Sequence, residues 1–177
     1  MYREHIGGKQ GSQVMTLEKD MLTLKTDPVR LLPDVSNSEG TGFEGHEFFE
    51  ASSIRKINGI YYLIYSSVLS RELCYATSRY PNRDYKFGGT LIDICDVGID
   101  GRTPEHAHNC FGNTHGSIEN VLGQWYVFYH RQTNRSQYSR QGCAEPITIA
   151  EDGTIAQVPV TSCGLNGGPL RGEGTYP

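Results

Sequence analysis

The sequence predicts an all-β protein built from repeated antiparallel hairpins, and two observations support this prediction. The apolar runs are short, rich in β-branched and aromatic residues, and separated by turn dipeptides such as Asn58-Gly59. In addition, one hairpin pattern occurs twice, so that Ser53 and Ser117 correspond at an offset of 64 residues. Repeated units of this kind favour a β-propeller or another all-β array, although two hairpins can also resemble each other by chance.

The composition is that of a globular domain. The 177 residues are 37% hydrophobic and 20% charged, which is enough for one domain with a hydrophobic core. The net charge is −4 without runs of like charge, so we expect neither nucleic acid nor a membrane as a partner. The first residues, Met1 to His5, do not lead into an apolar segment. We therefore expect no secretory signal on this chain, which is compatible with a cytoplasmic location and leaves the compartment open.

The five cysteines are widely spaced and form no Cys-x-x-Cys pair. Because an odd number cannot pair completely within one chain, we expect reduced and mostly buried thiols. A zinc site is not expected, since no Cys/His group has the spacing of metal ligands. The cysteines are Cys74, Cys95, Cys110, Cys143 and Cys163.

The first hairpin is predicted over residues 53–65. Its two runs, 53–57 and 60–65, flank Asn58-Gly59, and both turn positions tolerate the positive φ of a type I′ turn. Residues 73–78 are a further predicted strand of the same unit, and the segments 34–45 and 96–114 are predicted loops.

The second hairpin repeats this pattern over residues 117–129, with its turn at Leu122-Gly123. A third hairpin is predicted over 146–160, with its turn at Asp152-Gly153. The chain is therefore predicted to be a single domain over residues 1–177, with blade-like units near 48–95 and 113–145 followed by the hairpin at 146–160.

The repeat also predicts where a site lies. In a propeller the innermost strands converge on the central axis, and at the 64-residue offset His115 matches Ala51, next to Glu50. Glu50 and His115 are therefore expected to lie close together. A carboxyl group flanked by Phe48 and Phe49 would be partly desolvated, and desolvation favours the protonated form of a general acid. The alternative for Glu50 is a surface carboxylate at the start of a strand, and the alternative for His115 is a hydrogen-bonded structural histidine.

Three motifs resemble glycoside hydrolase family 43. Residues 48–62 (FFEASSIRKINGIYY) are similar to the segment that carries the family's general acid. Residues 112–131, which include His115 and the run Gly123-Gln124-Trp125-Tyr126, resemble the next blade. Residues 139–146 (SRQGCAEP) resemble the stretch that contributes a substrate-binding arginine. The resemblance extends from about residue 20 to the last residue.

This resemblance implies about three blades of a five-bladed propeller made of antiparallel four-stranded sheets. It implies an inverting glycosidase of the α-L-arabinofuranosidase or β-xylosidase type. Glu50 would be the general acid, and Arg140, Phe49 and His115 would contact the carbohydrate substrate. His115 would also approach a calcium ion on the propeller axis, either directly or through water.

The chain departs from the family in one respect. Inversion needs a second carboxylate as base, and the family's base and a further aspartate precede the acid in the chain. Asp20, Asp27 and Asp34 precede Glu50 here, but their surroundings are typical of loops and strand ends. We therefore expect weak or no hydrolysis by this chain alone. Two alternatives remain: a carbohydrate-binding module without catalysis, and a propeller fragment that associates through its open edges with another copy or another chain.

Overall fold

The computed structural model of the chain describes residues 11–109, 112–134 and 136–166. Nine strands form three antiparallel sheets within these residues, and their only helices are three single 3₁₀ turns. The first sheet contains β1 (Ser12–Val14) and β2 (Val29–Leu32). The second contains β3 (Phe48–Ile57), β4 (Ile60–Ser67), β5 (Glu72–Ser78) and β6 (Lys86–Asp93). The third contains β7 (Gly116–Val121), β8 (Gln124–Thr133) and β9 (Ser136–Ile147). The 3₁₀ turns are Ile99–Gly101, Pro104–His106 and Gly164–Asn166.

Both predicted tight turns are present. Asn58 and Gly59 have φ angles of 49° and 80°, which confirms the left-handed conformation that a type I′ turn requires at both positions. The equivalent turn has Leu122 at 51° and Gly123 at 93°. Leucine rarely adopts this conformation, so the register of the β7–β8 hairpin is maintained despite an unfavourable turn residue.

The second sheet lies between the other two because both of its faces are apolar. Alternation along β5 directs Leu73 and Tyr75 into a core shared with Ile118 and Val127 of the third sheet. The intervening residues of the sheet face a second core that includes Leu32 of the first sheet. The three sheets therefore stack face to face in chain order, as consecutive blades of a propeller do.

The third predicted hairpin is much shorter in the structure than the expected range 146–160. Pro146 and Ile147 belong to β9, because this strand pairs with β8 as far as Trp125. Proline is tolerated there because β9 is an edge strand of the described sheet. What remains is a tight turn closed by one bridge between Ile149 and Ile155. This turn docks on the second sheet, where the Tyr62 hydroxyl donates a 2.8 Å hydrogen bond to the carbonyl of Gly153.

The number of strands per blade, the state of the cysteines and the absence of membrane-spanning helices can be compared with the expectations for the described residues. The second sheet has the four strands expected of a blade, whereas the third has three. No disulfide joins the cysteines described, two of which, Cys74 and Cys95, are completely buried; Cys110 lies outside the described residues. None of the helices described is long and apolar enough to cross a membrane.

Candidate active site

Glu50 lies near the start of β3, at an interruption of the β3–β4 pairing. Glu50 pairs with Ser66, but the next pair is Ser53 with Ile64, so β3 has an extra residue at this point. Ala51 there adopts a φ of 60°. Such a bulge changes the direction in which side chains point and is common beside functional sites.

His115 immediately precedes β7 in the next blade and contacts Glu50. Its Nε2 atom lies 2.7 Å from Oε1 of Glu50. The prediction that the repeat brings these two side chains together is therefore confirmed. The distance is that of a hydrogen bond between an imidazole nitrogen and a carboxyl oxygen.

The two inner strands lie side by side, because equivalent residues of the repeat touch each other. The hydroxyl groups of Ser53 and Ser117, which are 64 residues apart, form a 2.7 Å hydrogen bond. Arg55 Nε donates a 3.1 Å hydrogen bond to Oε2 of Glu119 at the same offset. The 64-residue offset found in the sequence is thus the number of residues that separates equivalent positions of neighbouring inner strands.

The site is open to solvent. The side chain of Glu50 is 43% exposed and that of His115 is 37% exposed. The expected apolar enclosure of Glu50 is not found on the Phe48 side, since Phe48 packs against Tyr65 with 5.9 Å between ring centroids. Phe49 is half-buried beside Glu50 on β3. Any further desolvation of Glu50 must therefore come from substrate or from groups outside the described residues.

His130 on β8 extends the site, and no role was predicted for it from the sequence. Its ring meets the ring of His115 edge to face, with 5.1 Å between centroids. Burial, followed by the charges of His115 and Arg140, lowers the pKa of His130, so its imidazole is neutral near pH 7. Both of its ring nitrogens are shielded from solvent and have no hydrogen-bond partner among the described residues. Gly116 pairs with Tyr129, which puts His115 opposite His130; the register of the hairpin could have indicated this position from the sequence.

Arg140 lies on β9 opposite Gln132, close enough to His130 for its charge to act on that imidazole. Its side chain is exposed. The structure therefore brings Arg140 to the same side of the third sheet as the histidine pair. It carries a positive charge that is accessible to a polar ligand.

The aspartates that precede Glu50 are engaged elsewhere. Asp34 is buried and caps a turn, accepting hydrogen bonds from the main-chain N–H groups of Gly11 and Ser36. Asp20 closes an exposed turn through the N–H groups of Leu22 and Thr23, and Asp27 lies in an exposed loop. The interpretation of all three as turn or loop residues is consistent with these positions.

The described residues do not by themselves fit a calcium ion at His115. Calcium takes six to eight oxygen ligands. Near His115 the chain offers the Glu50 carboxylate, whose Oε1 already contacts the imidazole, and the buried hydroxyl of Thr114. The nearby charge of Arg140 would further oppose a cation.

Comparison with known proteins agrees with this architecture. Residues 2–155 match the family described as glycosyl hydrolases family 43. The chain belongs to glycosyl hydrolase family 43. It is 51% identical over 170 residues to a xylosidase/arabinosidase of Thermoclostridium stercorarium, and the match covers 96% of this chain and 36% of that protein. The chain thus spans about a third of the length of this curated relative.

Solved structures of family members show the same arrangement of sheets. A GH43_1 enzyme from Xanthomonas citri superimposes with a TM-score of 0.64 and 26% identity, over 85% of this chain and 42% of that chain. A β-xylosidase/α-arabinofuranosidase from a compost microbial metagenome, in complex with xylotriose and in a calcium-free form, gives a TM-score of 0.65 and 26% identity. That match covers 84% of this chain and 42% of that enzyme. The fold is therefore part of the family's propeller.

Proposed function

We propose that this chain supplies the acid half of an inverting glycosidase site that acts on α-L-arabinofuranosides or β-xylosides in arabinose- and xylose-containing plant polysaccharides. The observation that carries this proposal is the 2.7 Å contact between Glu50 and His115 where two inner strands meet. The names of the similar proteins, xylosidase/arabinosidase and β-xylosidase/α-arabinofuranosidase, support the choice of substrate class.

In this mechanism Glu50 protonates the glycosidic oxygen as the bond to the sugar breaks. His115 keeps the Glu50 carboxyl group directed at the opening between β3 and β7, since it bonds one of the two carboxyl oxygens. The exposed guanidinium of Arg140 binds substrate hydroxyl groups, and the ring of Phe49 offers apolar surface to a sugar. The neutral ring of His130 packs edge to face against that of His115 and adds no positive charge there.

The base comes from outside this chain in the proposed mechanism. An inverting enzyme needs a second carboxylate roughly 6.5–9.5 Å from the acid to activate water. Asp34, the buried upstream aspartate, is committed to its turn. We therefore expect no turnover by the isolated chain with 4-nitrophenyl α-L-arabinofuranoside or β-D-xyloside. Turnover that disappears in Glu50→Gln would show that the chain contains a base and would refute this part of the proposal.

The acid role is tested in a protein that contains this chain together with the remaining blades. Glu50→Gln should reduce hydrolysis of xylo- or arabino-oligosaccharides by about 10²–10⁴-fold, the usual contribution of general acid catalysis. Hydrolysis of a dinitrophenyl glycoside should fall much less, because its leaving group needs no proton. The matched control is Glu119→Gln, which changes an exposed carboxylate on the neighbouring inner strand. Equal losses on both substrates, or an equal loss in the control, would exclude Glu50 as the acid.

His115 remains a candidate calcium ligand only in combination with water and with residues outside the described part of the chain. The proposed proton transfer does not depend on such an ion. The test is whether hydrolysis of oligosaccharides requires calcium. If His115→Gln requires calcium to the same extent as the unchanged protein, this residue is excluded as a ligand.

Association through open edges is a second proposal for the isolated chain. It is supported by exposed apolar side chains before and within β2, of which Leu22 is 87%, Met21 70% and Val29 55% exposed. Light scattering should show oligomers that dissociate when Leu22 and Val29 are replaced by lysine. A monomer at high concentration would contradict this proposal.

A further inference from the structure

A cluster of three potential metal ligands lies on the face of the second sheet that packs against the first. Glu72 and Cys74 are two residues apart on β5 and therefore point to the same face. His46 reaches them from the loop that precedes β3. Atoms from the three side chains, one from each, lie within 4.8 Å of one another.

The cluster is compact and linked by hydrogen bonds. Nδ1 of His46 lies 2.7 Å from Oε1 of Glu72 and 4.0 Å from Sγ of Cys74. Thr90, opposite Cys74 on β6, donates a 3.1 Å hydrogen bond to the other oxygen of Glu72. The Ser67 hydroxyl donates a further hydrogen bond to Oε1 of Glu72. The carboxylate is thus held in place by neighbours that would remain as outer partners of a bound ion.

We propose that His46 Nδ1, a carboxylate oxygen of Glu72 and the thiolate of Cys74 bind one Zn²⁺ ion or a similar borderline divalent cation. Imidazole, carboxylate and thiolate are the three ligand types that zinc takes in proteins, whereas calcium and magnesium avoid sulfur. Water would complete a tetrahedral site.

The distances are close to those that a tetrahedral zinc ion imposes. Bond lengths of about 2.1 Å to nitrogen and oxygen and about 2.3 Å to sulfur put the nitrogen about 3.4 Å from the oxygen and about 3.6 Å from the sulfur. The contact between His46 and Glu72, now 2.7 Å, would have to open by about 0.7 Å, and the 4.0 Å contact between His46 and Cys74 would shorten by about 0.4 Å. Nδ1 of His46 must therefore move away from Glu72 and toward Cys74. The carboxylate oxygen and the sulfur, which lie within 4.8 Å of each other, would have to come to about 3.6 Å.

An ion can reach the cluster through His46. The His46 side chain is 36% exposed, whereas that of Glu72 is only 4% exposed. The main chain of His46 is fixed by a 2.7 Å hydrogen bond from the Tyr65 hydroxyl to its carbonyl oxygen. Its ring stacks on Phe87 with 4.8 Å between centroids. The ligand that faces solvent is therefore already directed toward the two buried ligands.

Binding replaces the hydrogen bond between His46 and Glu72 and displaces two protons. The proton on Nδ1 of His46 passes to solvent from the imidazolium, or moves to Nε2 by exchange with solvent in the neutral ring, and the Cys74 thiol loses its proton. Burial raises the pKa of the Cys74 thiol well above its usual value, so the thiol is protonated without an ion. The cation takes the thiolate electron pair and the proton passes to solvent. No change of oxidation state is involved. The bound ion would join the loop that leads to Glu50 to the body of the sheet.

Titration of the purified, reduced chain with Co²⁺ alone tests this site, since cobalt bound to thiolate gives a near-ultraviolet charge-transfer band. We expect this band to saturate at one ion per chain and to disappear when excess Zn²⁺ is added. Cys74→Ser should abolish it. His46→Gln should retain it with at least about tenfold weaker affinity, because one ligand is lost. The matched control is Cys163→Ser, which alters a half-buried cysteine of the third sheet region and should leave the titration unchanged.

The proposal fails if the unchanged chain gives no thiolate band, or if the band survives in Cys74→Ser. It also fails if His46→Gln binds Co²⁺ as tightly as the unchanged chain. Should Cys74→Ser not fold, His46→Gln alone decides the outcome, since its altered side chain is partly exposed. Each readout is spectroscopic and does not require glycosidase activity, so this result is independent of the proposed acid role of Glu50.

Discussion

Replacement of Gly116 by alanine should destabilise the fold at the position that directs His115 toward Glu50. Gly116 is the first residue of β7 and directly follows His115. A Cβ atom at this position would lie 1.9 Å from the carbonyl oxygen of Phe128 on β8 and 3.1 Å from Cδ2 of Leu73. The first contact involves main-chain atoms of a paired strand, so rotation of a side chain cannot relieve it.

The strands must therefore separate by more than 1 Å at this end of the sheet. Overpacking costs about 1–3 kcal/mol, and a strand hydrogen bond lost at the same place adds about 1 kcal/mol. Together these effects should lower the free energy of unfolding by about 3 kcal/mol. With an m-value of about 2 kcal/mol/M, the urea midpoint would fall by about 1.5 M.

Urea unfolding followed by far-ultraviolet circular dichroism and tryptophan fluorescence measures this effect. Gly142→Ala is the matched control, because Gly142 lies in the same sheet opposite His130 and an added Cβ meets no atom within 4 Å. The control should remain within about 0.5 kcal/mol of the unchanged chain. If Gly116→Ala is equally mild, or if both variants lose the same stability, the close approach of β7 and β8 is not what requires glycine.

Three further variants test separate contacts. Tyr62→Phe should cost about 1–2 kcal/mol in urea unfolding, because it leaves a buried main-chain carbonyl of the turn after β9 without its 2.8 Å hydrogen bond; an unchanged midpoint would show that this turn does not dock. Arg55→Ala should change stability by less than about 1 kcal/mol, since its ion pair with Glu119 is exposed, and a larger loss would contradict that reasoning. In urea unfolding, His46→Gln should be most destabilising between pH 4.5 and pH 6.5. The lower limit is the usual pKa of its partner Glu72, and the upper limit is the usual pKa of His46. The hydrogen bond to Glu72 raises the pKa of His46, so its contribution is complete below pH 6.5 and is lost as the pH rises through the raised value. Burial raises the pKa of Glu72, but its hydrogen bonds outweigh this and leave the pKa lowered, so its contribution disappears as the pH falls through that lowered value. A difference between variant and unchanged chain that is constant from pH 4 to about pH 9 would refute the pairing.

Local sequence determined the hairpins, which is why they could be predicted. Asn58-Gly59 specifies its own turn, and the alternation of side chains on either side then fixes the pairing of β3 with β4. The 64-residue repeat extended this local information across two blades, and it was sufficient to place Glu50 beside His115.

Features that depend on tertiary packing could not be read in the same way. The length of β9 is set by the length of β8, so Pro146 and Ile147 end β9 instead of starting the predicted third hairpin. The cluster of His46, Glu72 and Cys74 joins a loop to a strand, and no spacing in the sequence indicates that these residues meet. The packing of Phe48 against Tyr65 rather than beside Glu50 follows from the bulge in β3, which the sequence does not mark.

The geometry of the proposed acid is a property of the boundary between two blades. Glu50 belongs to one inner strand and His115 precedes the next, so the 2.7 Å contact between them depends on the angle at which the two sheets pack. That angle is set by the apolar layer that includes Tyr75 and Ile118, because the exposed ion pair of Arg55 contributes little. A core substitution that changes this packing should therefore displace His115 from Glu50 even though it lies outside the site. A chain that covers 42% of a related enzyme can therefore present Glu50 and His115 in contact, since it contains both blades that form their boundary.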